Sequence, residues 1–452
     1  MEVFCDGGDF RGIFFQDHHM KTVFDSYPEV LLFDATYKLT ELRMPLYLLM
    51  AIDGNGHSEI VGLYLTVSET AASLKGMLQA FKKHNNSWTR TVVIMTDKDM
   101  TERMTLSEEF PEAALQLCLF HTLRSFKREF SLDKLGLRPG MRDAILDLLA
   151  KMAHAKSPQV FDEQYALFKA LGVRPAIEFF DKNWLPIKEE WATCYKNEKF
   201  TLGELTNNRL ESMNGKIKSV CSKFASLDTF FSEFFDVLRV LRGERTHSHI
   251  MQRIKVPAMH QPQVTPEGAK YANYVTPYAY TLIVTQLLLR DAVRVPDDGR
   301  LNTSEGPITV TASSCQCSFW VTRKLPCRHV FAYRKMKRLP SFDTDLVSDR
   351  WSASRYEAVC GQKLTESVGS VGITASTATS TSTVMSSHQK YATALSVAKD
   401  LASLASEVGM ACFTERLAFL QDVRRSWAQG STVTMHSTCE YWSCCDSFGF
   451  VQ

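Results

Sequence analysis

Apolar positions in the first 130 residues fall into short runs of strand length, with one longer segment that has helical spacing. Residues 45–52 and 59–67 are apolar runs that flank the turn sequence DGNG, and this combination predicts a β-hairpin. Residues 68–84 have the spacing of an amphipathic helix, and residues 91–96 form a continuous apolar run, which is typical of a strand covered on both faces. Shorter runs predict further strands at residues 10–15, 30–33 and 114–120. A hairpin combined with strand–helix–strand segments predicts an α/β fold, in which helices pack on a mixed sheet.

Beyond residue 130 the pattern becomes helical, and two clear amphipathic helices are predicted at residues 207–221 and 227–245. A polar loop at 246–270 and a helix at 271–293 follow. The expected order of segments is the first part of the sheet domain at 1–130, a helical insertion at 131–205, the last part of the sheet domain at 206–245, a connecting loop and helix at 246–299, a cysteine-rich module at 300–340, a linker with low-complexity sequence at 341–390, and a C-terminal helix and tail at 391–452.

The composition is that of an ordinary globular protein, with 45% hydrophobic residues, 23% charged residues and a formal net charge of +2. So small a net charge argues against a chain that is basic throughout, but it is compatible with local basic patches that contact phosphate. No apolar stretch approaches the roughly 18 residues that span a bilayer, and the N-terminus lacks the apolar segment of a secretory signal. We therefore expect no membrane association, and we interpret the 12 cysteines as thiols or metal ligands in a reducing compartment.

The sequence CQCSFWVTRKLPCRH brings two pairs of metal-ligand residues within fifteen positions. Cys315 and Cys317 are one residue apart, and so are Cys327 and His329. The first pair fits a bent backbone at a strand end, and the second pair stands at the predicted start of a helix. Three thiolates and one imidazole make a closed tetrahedral set suited to structural Zn²⁺, with no coordination position left for catalysis. Zinc binding would supply folding free energy to a module too small to fold alone.

The pattern C-x-C-x9-C-x-H resembles the SWIM zinc finger, and all four ligand positions match that family over about residues 300–340. Basic residues surround the cluster with no acid between them: Arg323, Lys324, Arg328, Arg334, Lys335, Lys337 and Arg338. One interpretation is a patch that faces the phosphates of nucleic acid. A solvated helix face or a nuclear-import signal would explain the same charges.

Three acids elsewhere stand where a catalytic site could form. Asp34 and Asp97 each end an apolar run of strand length, and Glu211 lies in a predicted helix. Side chains at the carboxyl ends of strands point into the crevice where ligands bind in α/β folds. Together the three carboxylates could hold two Mg²⁺ or Mn²⁺ ions, which activate water and stabilise the leaving oxygen in phosphodiester displacement.

The helix around Glu211 has two distinct faces. At about 100° per residue, Asn214 and Lys218 fall on the same arc as Glu211, while the apolar residues occupy another arc. This face would suit a metal ion and a phosphate group, although a solvated helix flank is the simpler alternative. Asp99 competes with Asp97 for the catalytic position, but Asp99 precedes Glu102 by three residues and is better assigned to helix N-capping.

Four sequence blocks, FDATYK, MTDKDMTER, CLFH and NNRLESMNGKIK, resemble the Mutator-like transposases and their domesticated relatives, which include plant far-red-response transcription factors and vertebrate SWIM-finger proteins. The resemblance covers about residues 10–340. It implies an RNase H-like fold with an Asp, Asp, Glu triad, a helical insertion before the Glu, and a SWIM finger downstream. By this resemblance Asp34, Asp97 and Glu211 would form the triad, and Cys118 with His121 would be the C-x-x-H element of the family.

Cys118 and His121 are half of a zinc site, and Cys194 or His154 in the helical insertion could complete it. Packing of the thiol beside a hydrogen-bonded histidine is an equally good interpretation of the same residues.

Three functions remain open from the sequence. The first is a domesticated, non-transposing nuclear protein that binds DNA, chromatin or a protein partner. The second is a Mg²⁺-dependent enzyme that cleaves or transfers phosphodiester strands. The third is a SWIM-finger scaffold for protein interactions without nucleic acid. The Ser/Thr-rich linker and terminal helix favour a host protein over a mobile element, so we lean towards the first and towards no enzymatic activity.

Overall fold

The computed structural model describes residues 1–255, 266–359, 401 and 410–428. Residues 1–372 form one compact unit, and residues 373–452, with the helix Met410–Ala428, form a second. Within the described ranges no helix has both the length and the apolar character that crossing a bilayer requires.

Seven strands build the central sheet. They are β1 (Glu2–Asp6), β2 (Asp9–Phe15), β3 (Val30–Thr36), β4 (Leu46–Ile52), β5 (Ser58–Thr66), β6 (Val93–Thr96) and β7 (Ala114–Leu117). Their order in the sheet is β1-β2-β5-β4-β3-β6-β7. Strand β6 is parallel to both of its neighbours, β3 and β7, whereas the other pairs are antiparallel. The sheet is therefore mixed, as predicted, and it has the RNase H-like fold.

Helices cover both faces of the sheet and form the insertion. Those up to the finger are α1 (His18–Ser26), α2 (Ala71–His84), α3 (Met100–Glu109), α4 (Leu119–Glu129), α5 (Leu132–Leu135), α6 (Pro139–Ala153), α7 (Pro158–Ala170), α8 (Arg174–Asn183), α9 (Lys188–Trp191), α10 (Thr193–Lys196), α11 (Asn208–Val220), α12 (Leu227–Lys255), α13 (Pro266–Tyr274) and α14 (Pro277–Leu288). Helices α1, α2 and α3 share a core with one face of the sheet, and α11 to α14 share a core with the other. Because both faces are covered, the central strands are continuous apolar runs.

The insertion has an apolar core of its own, built from the helices α4 to α10. Two tryptophans at its centre, Trp184 and Trp191, are fully buried, and their rings meet edge to face with centroids 6.0 Å apart. The insertion core begins with α4, which is earlier than the predicted boundary at residue 131, because Phe126 on α4 packs on both tryptophans.

The hairpin turn between β4 and β5 is buried rather than exposed. Thr276 donates a hydrogen bond from its hydroxyl to the carbonyl of Gly54 over 2.7 Å, and a Cβ on Gly54 would lie only 2.7 Å from the carbonyl oxygen of Arg350. Glycine is therefore required here by the close approach of two later segments of the chain. Asp53 is structural, since its carboxylate accepts hydrogen bonds from the backbone N–H groups of Asn55 and His57.

The cysteine-rich module contains a hairpin and two helices: β8 (Arg300–Thr303), β9 (Gly306–Thr309), α15 (Ser318–Arg323) and α16 (Arg328–Met336). It is docked on the sheet domain. Phe331 of α16 belongs to the same core as the sheet, and the backbone N–H of Leu202 donates to the carbonyl of Thr322 over 2.8 Å. The module and the sheet domain therefore share buried surface.

Several predicted boundaries differ from those of the structure. The predicted loop at 246–270 is partly helical, because α12 continues to Lys255 and α13 begins at Pro266. The predicted helix at 271–293 is interrupted at Val275, since Thr276 caps a new helix whose first residue is Pro277. Helix α1 was missed because its sequence, HHMKTVFDS, carries few apolar residues.

The predicted linker at 341–390 begins with ordered structure. Trp351 and Arg350 are buried in the sheet domain, and a helix begins at Ala353. The low-complexity stretch at 367–388 lies outside the described residues. Of the helix predicted in the tail at 391–427, the structure describes Met410–Ala428.

Candidate functional site

Two carboxylates lie at one edge of the sheet, on neighbouring strands. Asp34 lies two residues before the end of β3, and Asp97 directly follows β6. Strands β3 and β6 are parallel, with Leu32 opposite Met95, so their carboxyl ends lie side by side. The parallel register is what brings these two acids together from positions far apart in the chain.

Glu211 approaches the same edge from α11, and His121 of α4 connects it to the strand acids. The Nδ1 atom of His121 is 2.7 Å from Oδ1 of Asp97, and its Nε2 atom is 3.2 Å from Oε1 of Glu211. The contacts with Asp97 and Cys118 raise the pKa of His121 to about 10, so the ring is cationic at neutral pH and lies within ion-pair distance of both carboxylates.

The proposed second zinc site at Cys118 and His121 gains no third ligand. Cys118 is buried, and its sulfur accepts a hydrogen bond from the backbone N–H of Asn207 over 3.1 Å. Cys194 lies in the apolar core of the insertion, and His154 is exposed at the end of α6. In the described part of the chain, the only group of three or more His, Cys, Asp or Glu residues with ligand atoms all within 4.8 Å of one another is the finger cluster. His121 instead lies between two acids, Asp97 and Glu211, at ion-pair distance from each.

Asp34 is partly buried near the end of β3. Burial raises its pKa to about 7, and the nearby charge of Asp97 adds to the rise. The side-chain amide of Asn214 donates to Oδ2 of Asp34 over 3.3 Å. Asn214 thus lies beside the acids, as its position on the helix face predicted.

A further carboxylate, Glu102, lies at the base of the same site. Burial raises the pKa of Glu102 to about 8, and the neighbouring Asp99 adds to the rise. The hydroxyl of Thr96 donates to Oε2 of Glu102 over 3.1 Å. Asp99 caps α3 by accepting from the backbone N–H of Glu102 over 3.0 Å, which confirms the assignment of Asp99 to N-capping.

These side chains line one cleft of about 570 Å³. Its charged and polar lining residues are Asp34, Thr36, Tyr37, Tyr47, Glu69, Asp97, Asp99, Thr101, Glu102, His121, Glu211, Asn214 and Lys218. Oδ1 of Asn214 and Oγ1 of Thr36 are buried and have no hydrogen-bond partner in the described part of the chain. Carboxylate, amide and hydroxyl oxygens are hard ligands, so this donor set fits Mg²⁺ or Mn²⁺.

Sequence reasoning missed several residues of the cleft. Glu69 accepts hydrogen bonds from the hydroxyls of Tyr37 over 2.6 Å and Tyr47 over 3.0 Å. Tyr47 was hidden in the apolar run of β4, and Glu102 was considered only as a capping partner. The sequence could have predicted a polar partner for Tyr47, because the hydroxyl of a tyrosine in a fully buried strand needs a hydrogen-bond acceptor.

The finger places four ligand residues around one point. Cys315, Cys317 and Cys327 are buried, and the ligand atoms of the four residues all lie within 4.8 Å of one another. The Sγ atom of Cys315 is 3.8 Å from Nδ1 of His329. Tetrahedral zinc with bonds of about 2.0–2.3 Å separates its ligand atoms by about 3.5–3.8 Å, so the observed spacing fits such an ion.

Local structure explains this convergence. Cys315 pairs with Val310 beyond the end of β9, while Cys317 and Cys327 are the N-cap residues of α15 and α16. Hydrogen bonds from the other two thiols lower the pKa of Cys315 to about 4, whereas burial raises the pKa of Cys327. The thiols of this buried group thus differ in how readily they lose a proton. A metal cation could bind here by displacing the remaining thiol protons.

Three of the seven basic residues around the finger cluster pair with acids outside residues 300–340. Arg334 is buried and pairs with Asp343 over 3.0 Å. Lys335 pairs with Asp291 over 2.6 Å, and Lys337 pairs with Asp297 over 2.9 Å. Acids on both sides of the finger therefore offset part of the predicted basic patch, while its other four basic residues form no ion pair in the described part of the chain.

A mixed sheet of this order with converging acids at the ends of β3 and β6 defines a domain of the RNase H-like class. Residues 1–116 match the family described as zinc finger SWIM domain-containing protein 1/3, RNaseH-like domain. The chain is therefore a relative of the SWIM-finger and Mutator-like transposase-derived proteins, which confirms the resemblance carried by its sequence motifs.

Curated relatives extend the similarity over most of the chain. Protein FAR1-RELATED SEQUENCE 5 of Arabidopsis thaliana is 20% identical over 382 residues, which cover 77% of this chain and 45% of the relative. Protein FAR1-RELATED SEQUENCE 11 of the same plant is 22% identical over 276 residues, covering 59% of this chain and 38% of the relative. A PKS-NRPS hybrid synthetase of Chaetomium globosum is 24% identical over 227 residues, covering 43% of this chain and 5% of the synthetase. The chain thus spans less than half the length of each of these relatives.

Proposed function

We propose that this transposase-derived protein acts in the nucleus by binding DNA at the cleft of its RNase H-like domain. The observation that carries the proposal is the convergence of Asp34, Asp97 and Glu211 in one open cleft, with Lys218 at its edge. Acids that hold a divalent cation, next to a cationic side chain, make a surface that suits a phosphodiester backbone.

In this proposal the finger holds one structural zinc ion and supports the sheet domain. Its four ligands form a closed set, and its helix α16 contributes Phe331 to the core of the sheet. Lys335 and Lys337 are paired with acids, so they contribute little to attracting phosphate. The finger would therefore stabilise the DNA-binding domain rather than provide the main DNA contact.

Binding to a labelled DNA duplex, measured at several salt concentrations with and without Mn²⁺, tests the proposal. We expect affinity that falls with salt at a slope of about −0.9 per phosphate contact and rises when Mn²⁺ is added. Asp34→Ala should remove the effect of Mn²⁺ but leave the salt-dependent part. If the wild-type protein binds no nucleic acid at low salt, the proposal is wrong, and a role as a protein-interaction scaffold gains support.

A second candidate function is Mg²⁺-dependent phosphodiester cleavage or strand transfer. It is favoured by the same acids and by His121, whose ring contacts both Asp97 and Glu211. A bound divalent ion would activate water and stabilise the leaving oxygen. Asp34, Asp97 and Glu211 line one cleft, but their ligand atoms do not all lie within 4.8 Å of one another, so the three side chains would move together to hold the ion. His121 would orient Asp97 and Glu211 and would carry a proton. Nicking of supercoiled DNA that needs Mn²⁺ and disappears in Asp97→Asn would establish this function, whereas equal nicking by both proteins would indicate a contaminant.

A further inference from the structure

Two loops meet on the surface beside the cleft. Residues 37–43 follow β3, and residues 218–224 comprise the end of α11 and the turn after it. The backbone N–H of Glu41 donates to the carbonyl of Ala225 over 2.9 Å, and the N–H of Ala225 donates to the carbonyl of Leu39 over 3.1 Å. These bonds join the loops into one feature, which we call the two-loop ridge.

The ridge concentrates backbone strain. Lys38, Arg43 and Phe224 have φ angles of +70°, +54° and +56°, and they are three of the six non-glycine residues with positive φ in the described ranges. This conformation is costly for residues with a Cβ, and it persists where the surroundings impose it, often at functional sites. All three residues are exposed.

The ridge also exposes large apolar side chains. Phe224 is 47% exposed, Leu42 is 63% exposed and Val220 is 53% exposed. The guanidinium carbon of Arg43 lies 5.9 Å from the centre of the Phe224 ring. An exposed aromatic ring beside a guanidinium offers a stacking surface for a planar π system.

The charges of the ridge are left unbalanced. Among the described residues, Lys38, Arg43, Lys218 and Lys223 form no ion pair. Glu41 is the one acid within the two loop segments, and Glu233 of α12 accepts hydrogen bonds from the backbone N–H and the hydroxyl of Ser222. The paired lysines of α16 contrast with this arrangement. Free cations around a stacking surface are complementary to a polyanion that carries aromatic bases.

The ridge is continuous with the acidic cleft, because Tyr37 and Lys218 belong to both. We propose that the two-loop ridge binds single-stranded nucleic acid, with its cations on the phosphates and Phe224 stacked on an unpaired base. A duplex would keep its bases stacked on each other, whereas a single strand can present one base to the ring. The proposal rests on the function proposed above and specifies the form of the nucleic acid and the side chains that hold it.

The test measures fluorescence anisotropy of the full chain with a labelled 15-nucleotide oligo(dT), the matching oligo(rU) and a 15-base-pair DNA duplex. Phe224→Gly removes the ring at a position whose φ favours glycine, so it should leave the melting temperature unchanged or higher. We expect Phe224→Gly to weaken oligo(dT) binding about 5- to 100-fold and duplex binding far less. The oligo(rU) arm shows whether RNA shares the site.

Two matched pairs of substitutions test the charges. Lys38→Gln with Lys223→Gln should make the salt slope for oligo(dT) shallower by about 1.4, which corresponds to two lost contacts at about 0.7 each. Lys335→Gln with Lys337→Gln removes the same formal charge from the finger and should leave the slope unchanged. A separate measurement tests stacking. The fluorescence of 2-aminopurine placed in the oligonucleotide should be quenched by the wild type and not by Phe224→Leu.

The outcomes separate this inference from the proposed function. If the wild type binds oligo(dT), but Phe224→Gly leaves the affinity unchanged and Lys38→Gln with Lys223→Gln leaves the salt slope unchanged, the ridge does not bind the strand. A preference for the duplex that Phe224→Gly does not alter also overturns the inference while the proposed function stands. If the wild type binds neither the single strand nor the duplex, both proposals are wrong.

Discussion

The sulfur cluster of the finger and the acidic cleft of the sheet domain differ in how their ligands are held. Cys315, Cys317 and Cys327 are buried in a small module, and with His329 they leave no place for a substrate. Asp97 and Glu211 are partly exposed, and they line an open cleft. The first arrangement suits a cation that contributes to folding, and the second suits a cation that meets a ligand. Removing a ligand from each site should therefore have opposite effects on stability.

The largest effect is expected in the finger. Cys327→Ser should remove one zinc ion per chain and lower the melting temperature by ten degrees or more, because binding of structural zinc contributes on the order of 10 kcal/mol in small modules. Zinc content by plasma mass spectrometry and melting by circular dichroism check this. Cys5→Ser is the matched control, since Cys5 is an exposed free thiol. Full zinc content in Cys327→Ser would show that the cluster is not the metal site.

The cleft should respond in the opposite direction. Asp34→Asn removes a buried carboxylate that lies near Asp97 and Glu211, so the free energy of unfolding should rise by roughly 2 kcal/mol at pH 8 in EDTA. The same variant should lose Mn²⁺ binding by calorimetry. A destabilised Asp34→Asn protein would contradict the view that the acids repel one another when the cation is removed.

The stability gain should depend on pH. The pKa of Asp34 is about 7 in the folded chain and lower in the unfolded chain, so between these values the folded state binds more protons. The wild type therefore loses stability as pH rises from about 4 to 7. Urea unfolding of wild type and Asp34→Asn should give similar free energies at pH 4 and diverge up to about pH 7. A constant difference across this range would assign the effect to packing.

His121 should show the reverse pH dependence and a smaller effect. Its pKa is raised to about 10, so its stabilising contribution is present in full below its unfolded pKa of about 6.5 and is lost as pH rises towards 10. We expect His121→Gln to cost about 1 kcal/mol at pH 6 and almost nothing at pH 10 in urea unfolding. His154→Gln, at the exposed end of α6, is the control that should change neither value.

Local sequence spacing was enough to predict the finger site but not the cleft. The four finger ligands lie within fifteen residues, so their spacing alone defined the cluster. The cleft brings together residues from at least six separate segments between Asp34 and Lys218, and the motif resemblance was needed to choose Asp34, Asp97 and Glu211. Their meeting depends on the parallel register of β3 and β6, which no local pattern encodes.

The remaining features depend on contacts between segments that are far apart in the sequence, and such contacts could not be predicted from local patterns. The sequence suggested Cys194 or His154 as a partner of Cys118 and His121, but the ring of His121 contacts Asp97 and Glu211 instead. The basic residues of α16 looked unpaired because Asp291 and Asp297 lie some forty positions earlier. Periodicity located most strands and helices, but it could not show that the segment after the finger returns to the sheet domain.

That return has a consequence for how the finger responds to ligands. Trp351 is fully buried and donates its indole N–H to the carbonyl of Arg323 over 2.7 Å, while Arg350 donates to the carbonyl of Ile52 over 2.7 Å. The polypeptide is thus anchored on both sides of the sulfur cluster, and loss of the ion would loosen groups that also support β4. Thermodynamic linkage would then couple the two sites: if a cation at the carboxylates raised the affinity of the finger for zinc, zinc in the finger would raise the affinity of the carboxylates for their cation by the same free energy.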